Sequence, residues 1–501
     1  MNFEILAFAL YFVLMLGIGV FFFFKTKNNN SEKEYFLGGR SMGPWVTALS
    51  AQASDMSAWL LMGLPGSILA FGLGQAWIGI GLALGTILNW ILVAKRLRKF
   101  SKAADDSITL PQYLTNRFHA KNNVLAVICA VVFLVSFTLY VASAFVAGAT
   151  VFVQLVPSLS ESLAMFIFAA IIIVYTFLGG FKAVCWTDFF QGLLMLFALV
   201  AVPIIVVVSG DLGTANPANL AEIVSAETTY PPFVANVFGA SWKEIVSGLA
   251  WGLGYFGMPH IIVRFMSIEK PSMVKKSATV AIIWVIISLV AAIIIAYFGR
   301  VLLGEELLSQ GLQKTVFIAL ARRYFPAFLS GILLAAIIAA SMSTADSQLL
   351  VASSSFTSDI YKPIRKNASD KEILWVGRIV VLLVSVVAYF IASSKGSGAQ
   401  AIMNMVENAW GIFGAAFGPV VLLSLFWKRF TYEGAIAGIV GGAVADILWF
   451  LFLSAKTGIY EIFPGFIFGM LCAVVVTLIS KEPSEEVIKM FERATDDSID
   501  D

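Results

Sequence analysis

Ser50-Ala51-Gln52-Ala53-Ser54-Asp55-Met56-Ser57-Ala58-Trp59 interrupts a hydrophobic segment otherwise long enough to cross a bilayer. A carboxylate and three serines stand where a lipid-facing helix would carry aliphatic side chains. An ionisable residue at membrane depth is costly, so its default reading is functional. The small residues around it let backbone carbonyls leave the helical ladder and face an ion or solute. The competing reading is a hydrogen bond between two packed helices.

The rest of the chain fits that setting. Its 501 residues are 59% hydrophobic and only 13% charged, with a mean hydropathy of +0.89. A soluble protein would carry about twice that charge fraction. The expected class is an all-α polytopic membrane protein. A net charge of +2 gives no reason to invoke nucleic acid. His119 and His260 are far apart, and Cys129, Cys185 and Cys472 have no CxxC spacing, so neither a metal set nor a disulfide framework is indicated. Phe3 to Phe24 is too long and evenly apolar for a cleaved signal peptide and reads as a retained span.

Apolar stretches of about 20 residues predict thirteen spans. They centre near residues 13, 58, 84, 138, 170, 198, 250, 288, 340, 382, 415, 443 and 471. With the N-terminus outside, inner segments hold 25 of the 33 Lys and Arg and outer segments hold 7, with Arg378 inside a span. That asymmetry predicts N-out, C-in. The inner stretch 95–121 is strongly basic, which suits topology and contact with anionic head groups. Residues 1–480 are expected to form one transmembrane domain, with core repeats at about 45–209 and 236–427. Residues 481–501 are expected to be a short cytoplasmic tail, an amphipathic helix followed by a disordered acidic end, Asp496 to Asp501. No P-loop is present.

A second interruption is Ser247-Gly248-Leu249-Ala250-Trp251-Gly252-Leu253-Gly254-Tyr255-Phe256-Gly257-Met258-Pro259-His260. Its four glycines and one proline weaken helical hydrogen bonding, although glycines in a membrane helix also serve close packing. The two interrupted spans are the second and the seventh. Five spans apart, they suit two inverted five-helix repeats, with spans 1, 12 and 13 outside. Broken helices at matching positions of two halves point to a midplane binding site. A third polar run is Ala339-Ala340-Ser341-Met342-Ser343-Thr344-Ala345-Asp346-Ser347. Na⁺, like other hard cations, takes oxygen ligands. Hydroxyls here, facing carbonyls freed in the second span, would supply a cage. The alternative is back-bonding of each hydroxyl to the carbonyl four residues earlier.

At this point the chain resembles the sodium:solute symporters, and within them the proline-transporting branch. The resemblance covers nearly the whole sequence. It rests on Tyr35 to Ser41, Thr47 to Gly66, Thr138 to Tyr140, Gly179 to Val184, Trp186 to Asp188, Trp251 to Met266, Ser343-Thr344, Phe413 to Pro419 and Tyr460 to Phe466. It implies a LeuT-type five-plus-five inverted repeat of thirteen helices. The implied activity is Na⁺-coupled import of L-proline by alternating access, in the bacterial cytoplasmic membrane. Na⁺ is the co-transported ion.

The resemblance also implies site residues. Ala53 and Met56 would offer carbonyls to Na⁺, Ala340 a carbonyl, and Ser343 and Thr344 hydroxyls. Asp55 would set Na⁺ dependence. Ser57 is tied to substrate and ion affinity. Trp59, Tyr140, Trp251 and Tyr255 would line the proline pocket, and Arg40 would lie near the ion pathway. Asp188, Asp346 and Ser347 are a candidate second ion site, unless Asp346 pairs with a buried cation. Two positions depart from the branch pattern: Ala58, where glycine is expected, and Asp346, where a hydroxyl is expected.

Other classes fit less well. A different small organic solute would keep the same architecture. A channel suits two broken helices less well than an occluding carrier does. A membrane-embedded sensor would need a signalling module after Lys481, and an enzyme would need a nucleophile–base pair or a metal cluster. The expected partners are a small-molecule substrate and the bilayer, with neither nucleic acid nor an obligatory protein.

Overall fold

Segments that are apolar along their whole length cannot leave peptide groups unpaired in hydrocarbon, so they close their hydrogen bonds locally as helices. The computed structural model describes residues 3–26, 31–226, 228–395 and 399–496 and is helical almost throughout. Among the described residues the only sheet is a hairpin that pairs Ile223–Val224 with Thr229–Tyr230.

Every expected centre falls on a helix, numbered here as thirteen segments in chain order. Among the described residues ten helices are long and apolar enough to cross a membrane, and a bent pair makes an eleventh. That pair is the seventh segment, where Trp242–Phe256 and Pro259–Ser267 meet at 43°. The second and fifth segments contain shorter apolar helices, Ala58–Phe71 and Glu161–Phe177. Exposed apolar side chains such as Leu10, Leu14 and Phe21 on the first segment cover the outside of the bundle.

The second segment is the centre. Its first half, Pro44–Met56, begins with proline at the helix start, where the missing N–H costs nothing. From Val46 to Met56 every residue is buried. It packs against the sixth segment (Phe181–Ser209), the second half of the seventh, the eighth (Val274–Leu308) and the ninth (Ala327–Ser354). The helix stops at Ser57, which takes φ +48° and ψ −175°. A short turn, Ala58–Leu60, follows before helix resumes over Gly63–Phe71. The left-handed φ falls on Ser57 and not on Ala58, so alanine is accommodated where glycine was expected.

The seventh segment breaks at the end of its glycine cluster, just before Pro259. Ordinary helix covers Trp242–Ala250, a tighter turn covers Trp251–Phe256, and the bend falls at Gly257 and Met258. Gly248 and Gly252 serve packing instead. They face Gly81 and Gly85 of the third segment (Leu73–Ala103), so two four-residue glycine spacings lie back to back. A Cβ on Gly252 would sit 2.4 Å from the Gly81 carbonyl oxygen, and one on Gly85 2.3 Å from the Gly252 oxygen.

The expected tail helix is present as Glu485–Thr495, with Val487, Met490, Phe491 and Ala494 buried. The acidic end beyond Asp496 lies outside the described residues.

The glycine contact yields a stability test. Gly252→Ala forces two backbones apart and is expected to cost about 1–3 kcal/mol, the usual penalty for overpacking. Gly17→Ala, with nothing within 4 Å of the new methyl, is the matched control. Thermal unfolding of detergent-purified protein should show a lower midpoint for the first only.

Candidate functional site

The break at Ser57 creates the site. The last four carbonyls of a helix have no partner within it and carry the negative end of its dipole. Here those carbonyls belong to Ala53, Ser54, Asp55 and Met56, deep inside the protein. Ser57 holds the turn by accepting a hydrogen bond from the Trp59 N–H on its own Oγ, at 3.1 Å. A left-handed serine costs free energy, and such strain gathers at functional positions.

The ninth segment supplies the facing oxygens. Ser343 Oγ donates to the Ala53 carbonyl at 2.8 Å and also lies 3.2 Å from the Ala340 carbonyl. Thr344 Oγ1 is buried and has no hydrogen-bond partner. Other buried hydroxyls, such as Ser136, Ser288 and Ser385, share that state, so it is the position of Thr344 next to Ser343 that makes it a candidate ligand. The broken helix and Ser343 are thus in direct contact, and Thr344 Oγ1 makes no back-bond to the carbonyl four residues earlier. This donor set, carbonyls and hydroxyls only, suits a hard monovalent cation.

Asp55 is buried beside these oxygens and accepts a hydrogen bond from Tyr255 Oη at 2.5 Å. That bond ties the break in the second segment to the tight turn of the seventh. The Trp59 and Trp251 rings stack 5.4 Å apart at 27°. Tyr140, on the fourth segment (Val124–Leu155), faces Ser57 with its hydroxyl and packs edge-on to His260, with centroids 6.3 Å apart. The four expected aromatics therefore gather around Asp55 and Ser57. Trp410 completes the wall, donating from Nε1 to the Trp251 carbonyl at 2.8 Å. A cavity of about 280 Å³ leads away from Trp251, lined by Ser67, Gln75, Glu244, Ser247, Glu407 and Tyr460.

One helical turn from the hydroxyl pair lies a different arrangement. Arg264 Nη2 pairs with Asp188 Oδ2 at 2.9 Å and donates to Ser347 Oγ at 2.5 Å. Its Nε donates to Ser50 Oγ at 3.0 Å, and Ser50 in turn donates to Asp188 at 2.7 Å. Its Nη1 donates to the His260 carbonyl. The guanidinium thus stands among the three residues expected as a second ion site. Ser347 also bonds Asp346 Oδ1 at 3.4 Å, while Asp346 Oδ2 and Asp188 Oδ1 have no hydrogen-bond partner. Sequence reasoning did not give Arg264 this role. The count of Lys and Arg by side put Arg264 in an inner loop, whereas the structure buries it within Pro259–Ser267, where a guanidinium must find a carboxylate.

Arg40 stands in a polar cluster at one end of the bundle. Its Nε pairs with Asp106 at 2.8 Å, Nη1 donates to Ser101 Oγ and the Met266 carbonyl, and Nη2 donates to the Ser107 carbonyl. Arg98 donates to the Ile268 and Glu269 carbonyls. Burial pushes the Asp106 carboxyl up, but Lys33, Arg40 and Lys102 outweigh it and hold it below the usual carboxylate range. The ion pair therefore persists at neutral pH and is lost only on acidification through that lowered value.

The helices around this oxygen-lined break form a fold of the LeuT type. In structure the chain is similar to a Na⁺-coupled sialic acid symporter in a substrate-bound outward-open state. The TM-score is 0.75 at 19% identity, covering 96% of this chain and 98% of that one. It is also similar to Mhp1, a nucleobase-cation-symport-1 family transporter, with a TM-score of 0.54 at 13% identity, covering 91% and 97%.

The model of the sodium:solute symporter family matches residues 35–442, and the chain belongs to that family. It is 44% identical to the sodium/proline symporter of Escherichia coli K12 over 92% of this chain and 90% of that protein. It is 42% identical to that of Haemophilus influenzae over 98% and 97%. Identity to the high-affinity proline transporter PutP of Bacillus subtilis is 44%, over 91% and 95%.

The Arg264 cluster gives a separable prediction. Arg264→Met leaves Asp188 buried without its counter-charge, a change that typically costs about 3–5 kcal/mol. Adding Asp188→Asn should recover a large part of that loss. Equal thermal midpoints for the single and double variants would show that the pair is not coupled.

Proposed function

We propose that this protein imports L-proline with Na⁺ across the bacterial cytoplasmic membrane by alternating access. The single observation that carries the reading is the contact between the freed Ala53 carbonyl and Ser343, beside the unpartnered Thr344 hydroxyl. Ala53, Met56, Ala340, Ser343 and Thr344 hold the ion, and Asp55 supplies the negative charge that balances it. The family is one of transporters and not of enzymes.

Proline suits the aromatic pocket. It is a zwitterion with a small apolar ring and a secondary ammonium. The Trp59, Trp251 and Tyr faces hold the ring and attract the ammonium, with a cation–π gain of roughly 0.5–2 kcal/mol. N–H groups exposed at the helix breaks take the carboxylate, so no arginine is required there. The names of the curated relatives support this substrate. Two wall groups, Ser57 and Tyr255, reach both pocket and ion site, which couples the two ligands.

The driving force is sufficient. One charge crossing about 100 mV releases about 2.3 kcal/mol, and a tenfold Na⁺ gradient adds about 1.4 kcal/mol. At one-to-one coupling this sustains an accumulation of several hundredfold.

In this reading the N-terminus lies outside and the tail inside, as the Lys and Arg distribution favours. The Arg40–Asp106 seal then closes the cytoplasmic side, and the cavity beside Trp251 is the outer entrance. One chain carries ion cage and pocket together, so the bilayer is the only partner the cycle needs besides its solutes. Arg264 stands in for a second cation between Asp188 and Asp346, which favours a single Na⁺ per cycle.

Uptake of labelled proline into proteoliposomes tests the reading. It should require an inward Na⁺ gradient and be displaced by unlabelled proline better than by alanine, glycine or glucose. Asp55→Asn should abolish it and Asp55→Glu weaken it. Thr344→Ala and Ser343→Ala each remove one ion-facing oxygen, worth about 1.5 kcal/mol, and should raise the half-saturating Na⁺ concentration about tenfold. Uptake that ignores Na⁺, or Na⁺ constants unchanged in both hydroxyl variants, would refute the cage.

The pocket is tested separately. Trp59→Ala or Trp251→Ala should raise the apparent proline constant by the equivalent of about 1–3 kcal/mol while moving the Na⁺ constant less. A sugar or carboxylate that displaces the label where proline does not would leave the transporter class standing and remove proline.

A further inference from the structure

The far end of the broken span is held by a charge and not by its own helix. Arg300, on the eighth segment, is fully buried at the end of the bundle opposite Arg40. Its Nη1 donates to the Leu69 carbonyl at 3.0 Å. Its Nη2 donates to the Ala221 carbonyl at 2.8 Å and to the Pro231 carbonyl at 3.2 Å. Among the described residues these bonds go to carbonyls and none to a carboxylate, and Nε has no partner. A buried charge without a counter-ion persists only where hydrogen bonds replace its hydration, so its role lies in what those bonds join.

Leu69 stands in the last turn of Gly63–Phe71, where carbonyls lack helical donors and carry the negative end of the dipole. Gly72, at φ +95°, turns the chain away. The Leu73 N–H, which would close the Leu69 carbonyl in a continuing helix, goes to the Val234 carbonyl at 3.0 Å. Arg300 takes its place. Ala221 and Pro231 flank the hairpin of Ile223–Val224 and Thr229–Tyr230, and below it the Phe233 N–H donates to the Leu220 carbonyl at 2.9 Å. The Phe233 ring centroid is 5.6 Å from the guanidinium carbon. One planar fork thus ties the eighth segment, the hairpin base and the second half of the broken span together. An ammonium, as a point charge, would not reproduce that geometry.

The other end of the same short helix meets the pocket. A Cβ on Gly63 would lie 2.6 Å from Trp59 Cδ1, so Trp59 packs directly on the first turn. Gly63 and Leu69 are about 9 Å apart along the helix. We propose that Arg300 is a positioning residue for the solute pocket, pinning Gly63–Phe71 so that Trp59 stands stacked on Trp251. This rests on the pocket reading above and adds a residue remote from the solute. The proposed ion cage is built from the first half of the second segment and from the ninth, neither of which Arg300 bonds. The pin therefore acts on the solute and not on Na⁺.

Two measurements on the full-length protein in nanodiscs test this. Equilibrium binding of labelled proline at saturating Na⁺ should weaken about tenfold in Arg300→Met, the scale of a lost anchor contact. The Na⁺ concentration that half-maximally raises the thermal midpoint, without proline, should not change, and the same scans report that the variant is folded. Arg300→Lys should recover part of the proline binding. Arg322→Met, which removes an arginine bonded to Glu4 and the Gln154 carbonyl, should bind proline as the wild type does. Hydrogen exchange read by mass spectrometry needs no solute. Peptides over 58–71 and 219–233 should exchange about tenfold faster in Arg300→Met, and those over 44–56 should not. Unchanged exchange over 58–71 would overturn the pin, and so would faster exchange with unaltered proline affinity. Equal weakening of proline and Na⁺ binding would show a general structural defect and also overturn it. A wild-type chain that binds no proline would remove the solute reading instead, and exchange over 58–71 alone would then decide the pin.

Discussion

The structure depends on one interrupted helix. Where Ser57 leaves the right-handed region, the dipole of Pro44–Met56 ends in the middle of the protein instead of at its surface. Its unpaired carbonyls must be satisfied there, and the surrounding elements are arranged to do it. Ser343 bonds the Ala53 carbonyl, and His260 Nε2 lies 3.2 Å from the Ser54 carbonyl. An interruption of this kind is stable only when packing on all sides enforces it. The burial of every residue from Val46 to Met56 supplies that enforcement.

In the proposed reading the same interruption links ion and solute. Asp55 and Ser57 are two residues apart but face different partners. Asp55 reaches Tyr255 on the seventh segment, and Ser57 meets Tyr140 on the fourth. Any ligand that draws the Ala53 and Met56 carbonyls together also sets the position of the aromatic wall beside them. Coupling then needs no long chain of contacts, because both ligands bias one short stretch of backbone.

Much of this was legible in the residues. Local features were the clearest: the polar run at 50–59, the hydroxyls at 343 and 344, and the proline after the glycine cluster all mark their own positions. Features that join distant parts of the chain were not. Arg264 and Asp188 are 76 residues apart, and neither announces the other. The glycines at 248 and 252 read as helix breakers, but their partners at 81 and 85 turn them into a packing surface, and the bend falls at 257–258. Ala58 departs from the branch pattern, yet the backbone places the left-handed angle one residue earlier. The tail helix was legible from its amphipathic pattern, whereas its docking on Phe100 was not. In each case the missing information is which surfaces face one another.

The central claim is that the cation sits in the helix break and not between the carboxylates one turn away. An experimental density map of the protein with saturating Na⁺ and proline tests it most directly. The account predicts a density feature ringed by the carbonyls of Ala53, Met56 and Ala340 and the hydroxyls of Ser343 and Thr344, with Arg264 still paired to Asp188. A collapsed, ion-free cage, with the cation instead between Asp188 and Asp346 and Arg264 displaced, would contradict it.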